Sequence, residues 1–248
     1  MSGMRIAIVV ATEPGIKPLG LGGNFEVNLK RAARMGYDGV ELLVGDPNQL
    51  NIERVRRLVK KYNLSIPAIG TGPAYTMHGL SLVASDKETR KKAVERVKDY
   101  LKVGKELGSP VIVGSVKGWT ENPQNGVENL KSCLGECTDF AEESGTGMLI
   151  EPLNRYESNI INTLEEAVTL VKEIGSHRVR VMADTFHMNI EEKSICDSMM
   201  RAEEYLAHVH FSDSNRRAPG QGHLDFKKII GTLQEIGYEN FITAEILP

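Results

Sequence analysis

The chain is poor in the features that mark several protein classes. Its three cysteines are an odd number and too few for a disulfide scaffold, which fits a reducing compartment and a cytoplasmic protein. Tryptophan occurs once. No apolar run approaches the ~20 residues of a membrane span. The N-terminal run Arg5-Ile6-Ala7-Ile8-Val9-Val10 is too short for a signal peptide and leads into Glu13 and Pro14. Basic charge is not in excess: 30 Lys+Arg against 33 Asp+Glu gives a net −3, so no bulk field recruits nucleic acid. No linker, low-complexity stretch or charge block divides the chain, so residues 1–248 are expected to form one domain. Met1-Ser2-Gly3, ahead of Met4, reads as an appended leader and is left out of the fold reasoning.

What is present is alternation. Eight β-branched runs predict strands at Ile6–Thr12, Gly39–Val44, Ile66–Thr71, Val111–Val116, Met148–Leu153, Val179–Asp184, Ala207–Ser212 and Phe241–Leu247. Several are almost wholly apolar, as strands buried on both faces of a parallel sheet are. Helical patterns fall between them, at Glu26–Met35, Ile52–Tyr62, Asp86–Leu107, Asn125–Glu143, Thr163–Ile174 and Phe226–Ile236, with a weaker one inside Ile190–Glu204. Thr163 and Glu166 have the spacing of a capping box. The 248 residues divide into eight units of about 31, the size of one strand, one helix and their loops. The fold class is therefore α/β, a (β/α)8 TIM barrel. Only seven helices follow the eight strands, and the sequence stops three residues after Glu245. The eighth helix is missing. Either the chain is truncated, or a partner or neighbouring helix is expected to cover the seam between the first and last strands.

Barrel enzymes carry their chemistry at the C-terminal ends of the strands. Glu151 ends the fifth run and Asp184 the sixth, His210 lies in the seventh and Glu245 in the eighth. Their separations of 33, 26 and 35 residues are each about one unit. Four consecutive strands thus bring Glu, Asp, His and Glu to one end of a barrel. Ionised groups within apolar strands are costly to bury, and three facing carboxylates repel. One divalent cation resolves both problems. Mostly oxygen donors with one imidazole suit Mn²⁺ first, with Mg²⁺ or Co²⁺ as alternatives, and leave positions open for substrate oxygens. No organic cofactor is expected.

These residues lie in longer stretches: Glu151-Pro-Leu-Asn-Arg-Tyr-Glu157, Ala183-Asp-Thr-Phe-His-Met-Asn-Ile-Glu-Glu192, His208-Val-His-Phe-Ser-Asp-Ser-Asn-Arg216 and Ala244-Glu245. In them the sequence resembles the xylose-isomerase-like TIM-barrel sugar isomerases and epimerases. Within that superfamily it is most similar to the ketose 3-epimerases of the D-tagatose/D-allulose group. The resemblance implies that Glu151, Asp184, His210 and Glu245 ligate the metal, and that Glu151 and Glu245 double as the acid/base pair. It implies that Glu157, His187 and Arg216 bind the O1, O2 and O3 region of the substrate. The implied activity is inversion of C3 of a free ketose through a cis-enediolate, one carboxylate removing the proton and the other returning it. The implied partner is a small-molecule ketose or keto-sugar, and a homo-oligomer, dimer or tetramer, is expected.

Two departures from that family bear on the substrate. Ala11-Thr-Glu-Pro-Gly-Ile-Lys17 stands where members often carry aromatics, and Ile246-Leu247 follows Glu245 where an aromatic is usual. Lys17, Lys117 and Arg217 could approach the far end of the sugar, which raises a keto-sugar acid as a variant; the plainer reading is solvated surface cations. Glu41 could bind substrate, orient a ligand or form a structural ion pair. His208, two residues from His210, fits a supporting or core histidine better than a fifth ligand. His78 could line the pocket or sit in a lid, and Trp119 could stack on a sugar or simply pack. Gly220-Gln-Gly-His223 fits a turn better than a phosphate loop. Cys133 and Cys137 fit one helix face. An aldose–ketose or hydroxypyruvate-type isomerase, or a cyclic-ketose dehydratase, could use the same metal core. A DNA-repair endonuclease on this barrel would need about three metal ions, more histidine ligands and a basic groove; six histidines, only some at strand ends, and a net −3 argue against it. A non-catalytic sugar-binding barrel is the remaining alternative.

Overall fold

The computed structural model describes residues 3–247. Eight parallel strands close into a barrel in sequence order. They are β1 (Arg5–Ala11), β2 (Gly39–Leu43), β3 (Ile69–Gly70), β4 (Val111–Val113), β5 (Met148–Ile150), β6 (Val179–Asp184), β7 (Leu206–Phe211) and β8 (Phe241–Ala244). Pairing of β1 with β8, from Arg5 opposite Phe241 to Ile8 opposite Ala244, completes the ring. The helices are α1 (Phe25–Arg34), α2 (Ile52–Lys61), α3 (Gly72–Thr76), α4 (Lys87–Leu107), α5 (Pro123–Ser144), α6 (Leu164–Ile174), α7 (Thr185–Glu191), α8 (Ile195–Ala202) and α9 (Phe226–Glu235). The capping box at the start of α6 is formed: Thr163 accepts from the Glu166 N–H, and Glu166 reaches back to the Thr163 N–H.

The core has two parts. A large apolar cluster joins the outward strand residues, such as Val10, Val40 and Val181, to the helices. A separate small cluster of Ala68, Ile112, Leu149 and Met182 fills the barrel interior. Strand side chains alternate between faces. Inward Leu149 therefore places Glu151 on the same side, and inward Met182 does the same for Asp184. His208 likewise shares a side with His210, and Thr243 with Glu245. The apolar floor and the polar mouth are consecutive layers of one interior.

β6 has the predicted bounds and β1 and β7 the predicted lengths, but the other five strands are shorter than the sequence predicts. The third keeps two residues of a predicted six, and the fourth and fifth keep three each. Val116 and Leu153 continue the apolar runs, but they are buried in the loops that follow, not paired in the sheet. Pro152, lacking an N–H, ends the ladder just after Glu151. The weaker helix expected within Ile190–Glu204 is α8, and a further short helix, α7, precedes it directly after β6. Asp184 caps α7 through the Phe186 and His187 N–H groups, and Ser194 caps α8.

Among the described residues no helix follows β8. The barrel closes without one, and among the described residues the segment around Leu19 and Leu21, hydrogen-bonded to Val9, Ala11 and Ile246, covers part of the β1–β8 flank. A groove of 790 Å³ runs there past Ile8, Leu19, Leu21 and Leu247. Ile6 and Leu247 are 44% and 46% exposed beside it. Among the described residues no helix is long and apolar enough to cross a membrane.

Candidate active site

Glu151, Asp184, His210 and Glu245 converge at the C-terminal mouth. Each offers one ligand atom, and the four atoms lie within 4.8 Å of one another. The His210 Nδ1 is 3.7 Å from Asp184 Oδ2, 3.7 Å from Glu245 Oε2 and 3.9 Å from Glu151 Oε1. Register explains the convergence: Asp184 is the pairing partner of His210, and His210 of Thr243. Glu151 and Glu245 stand one residue beyond their strands. The Glu151 N–H donates to the Val113 carbonyl and the Glu245 N–H to that of Phe211. The Ser212 hydroxyl donates to the Glu245 carbonyl at 2.7 Å.

Asp184 divides its labour. Oδ1 accepts from the first N–H groups of α7, at 2.7 Å from Phe186. Oδ2 is buried without a hydrogen-bond partner, as are His210 Nδ1 and His187 Nε2. Unpaired buried polar atoms are rare because each forfeits its hydration. Here His210 Nδ1 lies 3.7 Å and His187 Nε2 4.0 Å from Asp184 Oδ2, with Glu151 and Glu245 beside His210 Nδ1 and Asp184 Oδ2. Oxygen-rich donors with one imidazole nitrogen fit a divalent ion. In the metal-free chain the charges strain against one another. Burial, then Glu245 and Asp184, push Glu151 up to about 8. Burial opposes the charged form of Asp184, but His187, His210 and Arg216 hold its carboxyl well below the usual range. Burial likewise opposes the charged form of His210, yet Glu41 and Glu245 raise it well above the ordinary imidazole value.

Above this cluster lies a cavity of 410 Å³ lined by Glu151, Glu157, His187, Arg216 and Glu245. Arg216 Nη1 donates to Glu157 Oε1 at 2.6 Å, and its Nη2 lies 3.4 Å from Glu245 Oε2. The guanidinium also stacks on Phe186, 4.7 Å from the ring centre. Arg216 has a left-handed backbone, φ 60°, unusual for a residue with a side chain. Its N–H bonds to the Asp213 carbonyl, and its own carbonyl accepts from the Leu247 N–H. The buried Asp213 carboxylate organises this loop by accepting from the N–H groups of Ser214, Gly220 and Leu224. Gly220-Gln-Gly-His223 is thus a turn, and no phosphate site is needed to explain it.

Asn154 was not singled out in the sequence, although it lies within the stretch from Glu151 to Glu157. Its side-chain amide holds Glu157 Oε1 at 3.1 Å, and its backbone N–H donates to His187 Nδ1 at 3.1 Å. That bond fixes the imidazole: Nδ1 accepts, so the neutral ring carries its proton on Nε2, facing the site. Burial lowers the His187 pKa and favours this neutral form.

Several other sequence candidates fall elsewhere. Lys117 is fully buried, and its ammonium donates to the Gly114 and Glu151 carbonyls, so it is neither a surface cation nor at the far end of the pocket. Arg217 is exposed outside the cavity lining. His78 lines a separate surface hollow with Glu88 and Arg96. Trp119 is 49% exposed and does not line the cavity. Cys133 and Cys137 are buried on α5, as their spacing suggests. Lys17 alone of the three proposed cations reaches the cavity, beside Ile16, Leu19, Leu43, Pro73 and Met77. Among the described residues no aromatic side chain lines that wall.

A family model described as xylose isomerase-like TIM barrel matches residues 29–248. D-psicose 3-epimerase from Agrobacterium fabrum is 32% identical over 88% of this chain and 77% of its own. The crystal structure of D-psicose 3-epimerase with D-tagatose from Clostridium cellulolyticum H10 matches with a TM-score of 0.82 and 27% identity, covering 97% of this chain and 84% of that one. That of 3-keto-D-glucoside 4-epimerase from E. coli matches with a TM-score of 0.84 and 25% identity, covering 98% and 92%. The chain belongs to the xylose isomerase-like TIM barrel family and is an enzyme of the isomerase class among its sugar epimerases.

Proposed function

We propose that this enzyme inverts C3 of a ketose, of the D-allulose/D-fructose, D-tagatose or L-ribulose type, with one divalent ion, Mn²⁺ first. The observation that carries this is the convergence of Glu151, Asp184, His210 and Glu245 on one point faced by unpartnered buried atoms. Those four residues would hold the ion. When bound, it supplies positive charge beside the substrate carbonyl and neighbouring hydroxyl, which acidifies the C–H of the carbon that bears that hydroxyl. Glu151 and Glu245 move the proton. They come from β5 and β8, three strands apart, so they can reach a substrate in the cavity from different sides. His187 offers its Nε2–H to a substrate oxygen. The Glu157–Arg216 pair offers an acceptor and a donor to neighbouring hydroxyls, and Asn154 keeps Glu157 and His187 in place.

Incubation of the Mn²⁺-loaded enzyme with ketoses in D₂O tests the reading. Label at C3 together with a new C3 epimer supports it. Aldose formation, or label only at C4, would replace it with an isomerase or a 4-epimerase. The latter is the activity named for the similar E. coli structure.

A keto-sugar acid as substrate has one specific support, the exposed Lys17 at the aliphatic end of the cavity. If the substrate is anionic, Lys17→Ala raises KM about tenfold with little change in kcat, the size of a lost charge-assisted hydrogen bond. With a neutral ketose, KM stays put. A steady-state comparison on the two substrate classes decides.

Gly114 offers a further check. A Cβ there would sit 2.0 Å from Glu151 Oε2. Gly114→Ala is therefore expected to displace the Glu151 carboxylate by about 1 Å and to lower kcat about 10²-fold. The folded state should survive, as seen by circular dichroism. Unchanged kcat would mean that the position of this carboxylate does not matter.

A further inference from the structure

His210 has two faces. Its Nδ1 is turned to Glu151, Asp184 and Glu245, and its Nε2 lies 2.9 Å from Glu41 Oε2. Glu41 stands on β2, across the barrel from β7, and is 2% exposed. The same oxygen is also 2.8 Å from His208 Nε2, which touches the Thr243 hydroxyl at 3.2 Å. Among the described residues neither lysine nor arginine forms an ion pair with Glu41. Nor does Glu41 line the substrate cavity. Its carboxylate is thus committed to two imidazoles, one of them in the four-residue cluster.

An ionised carboxylate only accepts hydrogen bonds, so both histidines must present N–H to it. For His210 this places the proton on Nε2 and leaves the Nδ1 lone pair for the cluster. A ring without that partner would be free to take the other tautomer, with a hydrogen where the ligand lone pair should be, and to turn about its Cβ–Cγ bond. His208 serves the same end from the other side: its N–H keeps Glu41 from swinging up into the cavity. The two rings pack edge to face, 5.3 Å apart at 81°.

We propose that Glu41 is a positioning residue that, steadied by His208, fixes the tautomer and orientation in which His210 presents Nδ1 as a metal ligand. This rests on the metal-dependent reading above. Partners of this kind typically contribute 10- to 100-fold to metal affinity, about that range being measured when they are removed.

The test is Mn²⁺ titration of the full chain, with free ion followed by electron paramagnetic resonance, for wild type and Glu41→Gln. Gln keeps the volume of the side chain but removes the charge. Mn²⁺ affinity is expected to fall about 10- to 100-fold. With Mn²⁺ saturating, KM for the ketose should match wild type, because Glu41 does not line the substrate cavity. A raised KM at saturating Mn²⁺ would instead make Glu41 a substrate ligand and overturn the proposal. Glu41→Asp retains the charge and should recover part of the affinity. If Glu41→Gln fails to fold, His208→Gln is titrated in the same way, with a weaker affinity than wild type expected. Wild-type affinity in the variants overturns the role of Glu41 alone. Failure of the wild-type chain to bind any divalent ion overturns this proposal and the metal reading together.

Discussion

Glu151→Gln and Glu245→Gln are each expected to lower the epimerisation rate by about 10²–10⁴-fold, the size of a lost general acid or base. The direction of the residual chemistry matters more than the magnitude. Inversion needs one group to take the C3 proton and a different group to return it on the other face. Each variant keeps one of the two. Either should therefore still exchange C3–H with solvent for one epimer, the one its surviving carboxylate can deprotonate, while failing to complete the inversion. The epimer that exchanges should be opposite in the two variants. Deuterium uptake from D₂O, followed by NMR for both epimers of the substrate, measures this. Gln can still offer a carbonyl oxygen, so metal content must be measured alongside to separate lost proton transfer from lost ion. Equal exchange of both epimers by both variants would dismiss the two-carboxylate assignment. A change in KM alone would reduce these residues to ligands.

The parts legible in the sequence are those governed by period and spacing. Glu151, Asp184, His210 and Glu245 were readable as a set because strand alternation and a repeat of about 31 residues both act on them. The Thr163–Glu166 cap was readable because it needs only local geometry. Strand length was not, because Val116 and Leu153 are as apolar as strand residues yet are buried under the loops. The short α7 ahead of α8 was missed for a related reason. Glu192 lies between them and spends its carboxylate on the Leu164 N–H and the Ser198 hydroxyl, a contact 28 residues away in sequence. Lys117 has the composition of a surface residue, and only the fold shows its ammonium turned inward to two carbonyls. His78 and Trp119 sit in irregular segments, where no period indicates which way a side chain points. Glu41 lay in between: its strand-end position was visible, but its choice between substrate and histidines depended on β2 and β7 facing each other across the interior.

Removal of the divalent ion should abolish turnover and destabilise the fold, and both effects should depend on pH in a direction the site dictates. Without the ion, Glu151 holds its proton up to about 8, because burial and the nearby acids oppose its charge. His210 is also raised well above the ordinary imidazole value, burial being outweighed by Glu41 and Glu245. Both protons must leave for the ion to enter. Metal affinity should therefore rise with pH through the neutral range to about 8, and binding should release protons. Calorimetric titration in buffers of different ionisation enthalpy counts them. The stability of the metal-free chain runs the other way. Both groups have folded pKa values above their unfolded ones, so their contribution is complete at low pH and is lost as pH rises through the folded values. At an ion concentration one hundred times its dissociation constant, bound metal adds about 2.7 kcal/mol. In a chain of this length that raises Tm by about 5–10 °C. At a fixed ion concentration the gap between loaded and metal-free melting curves should accordingly widen from pH 6.5 to 8.5. A gap that is constant across that range would mean that the ion does not displace these protons, and would place its binding site away from Glu151 and His210.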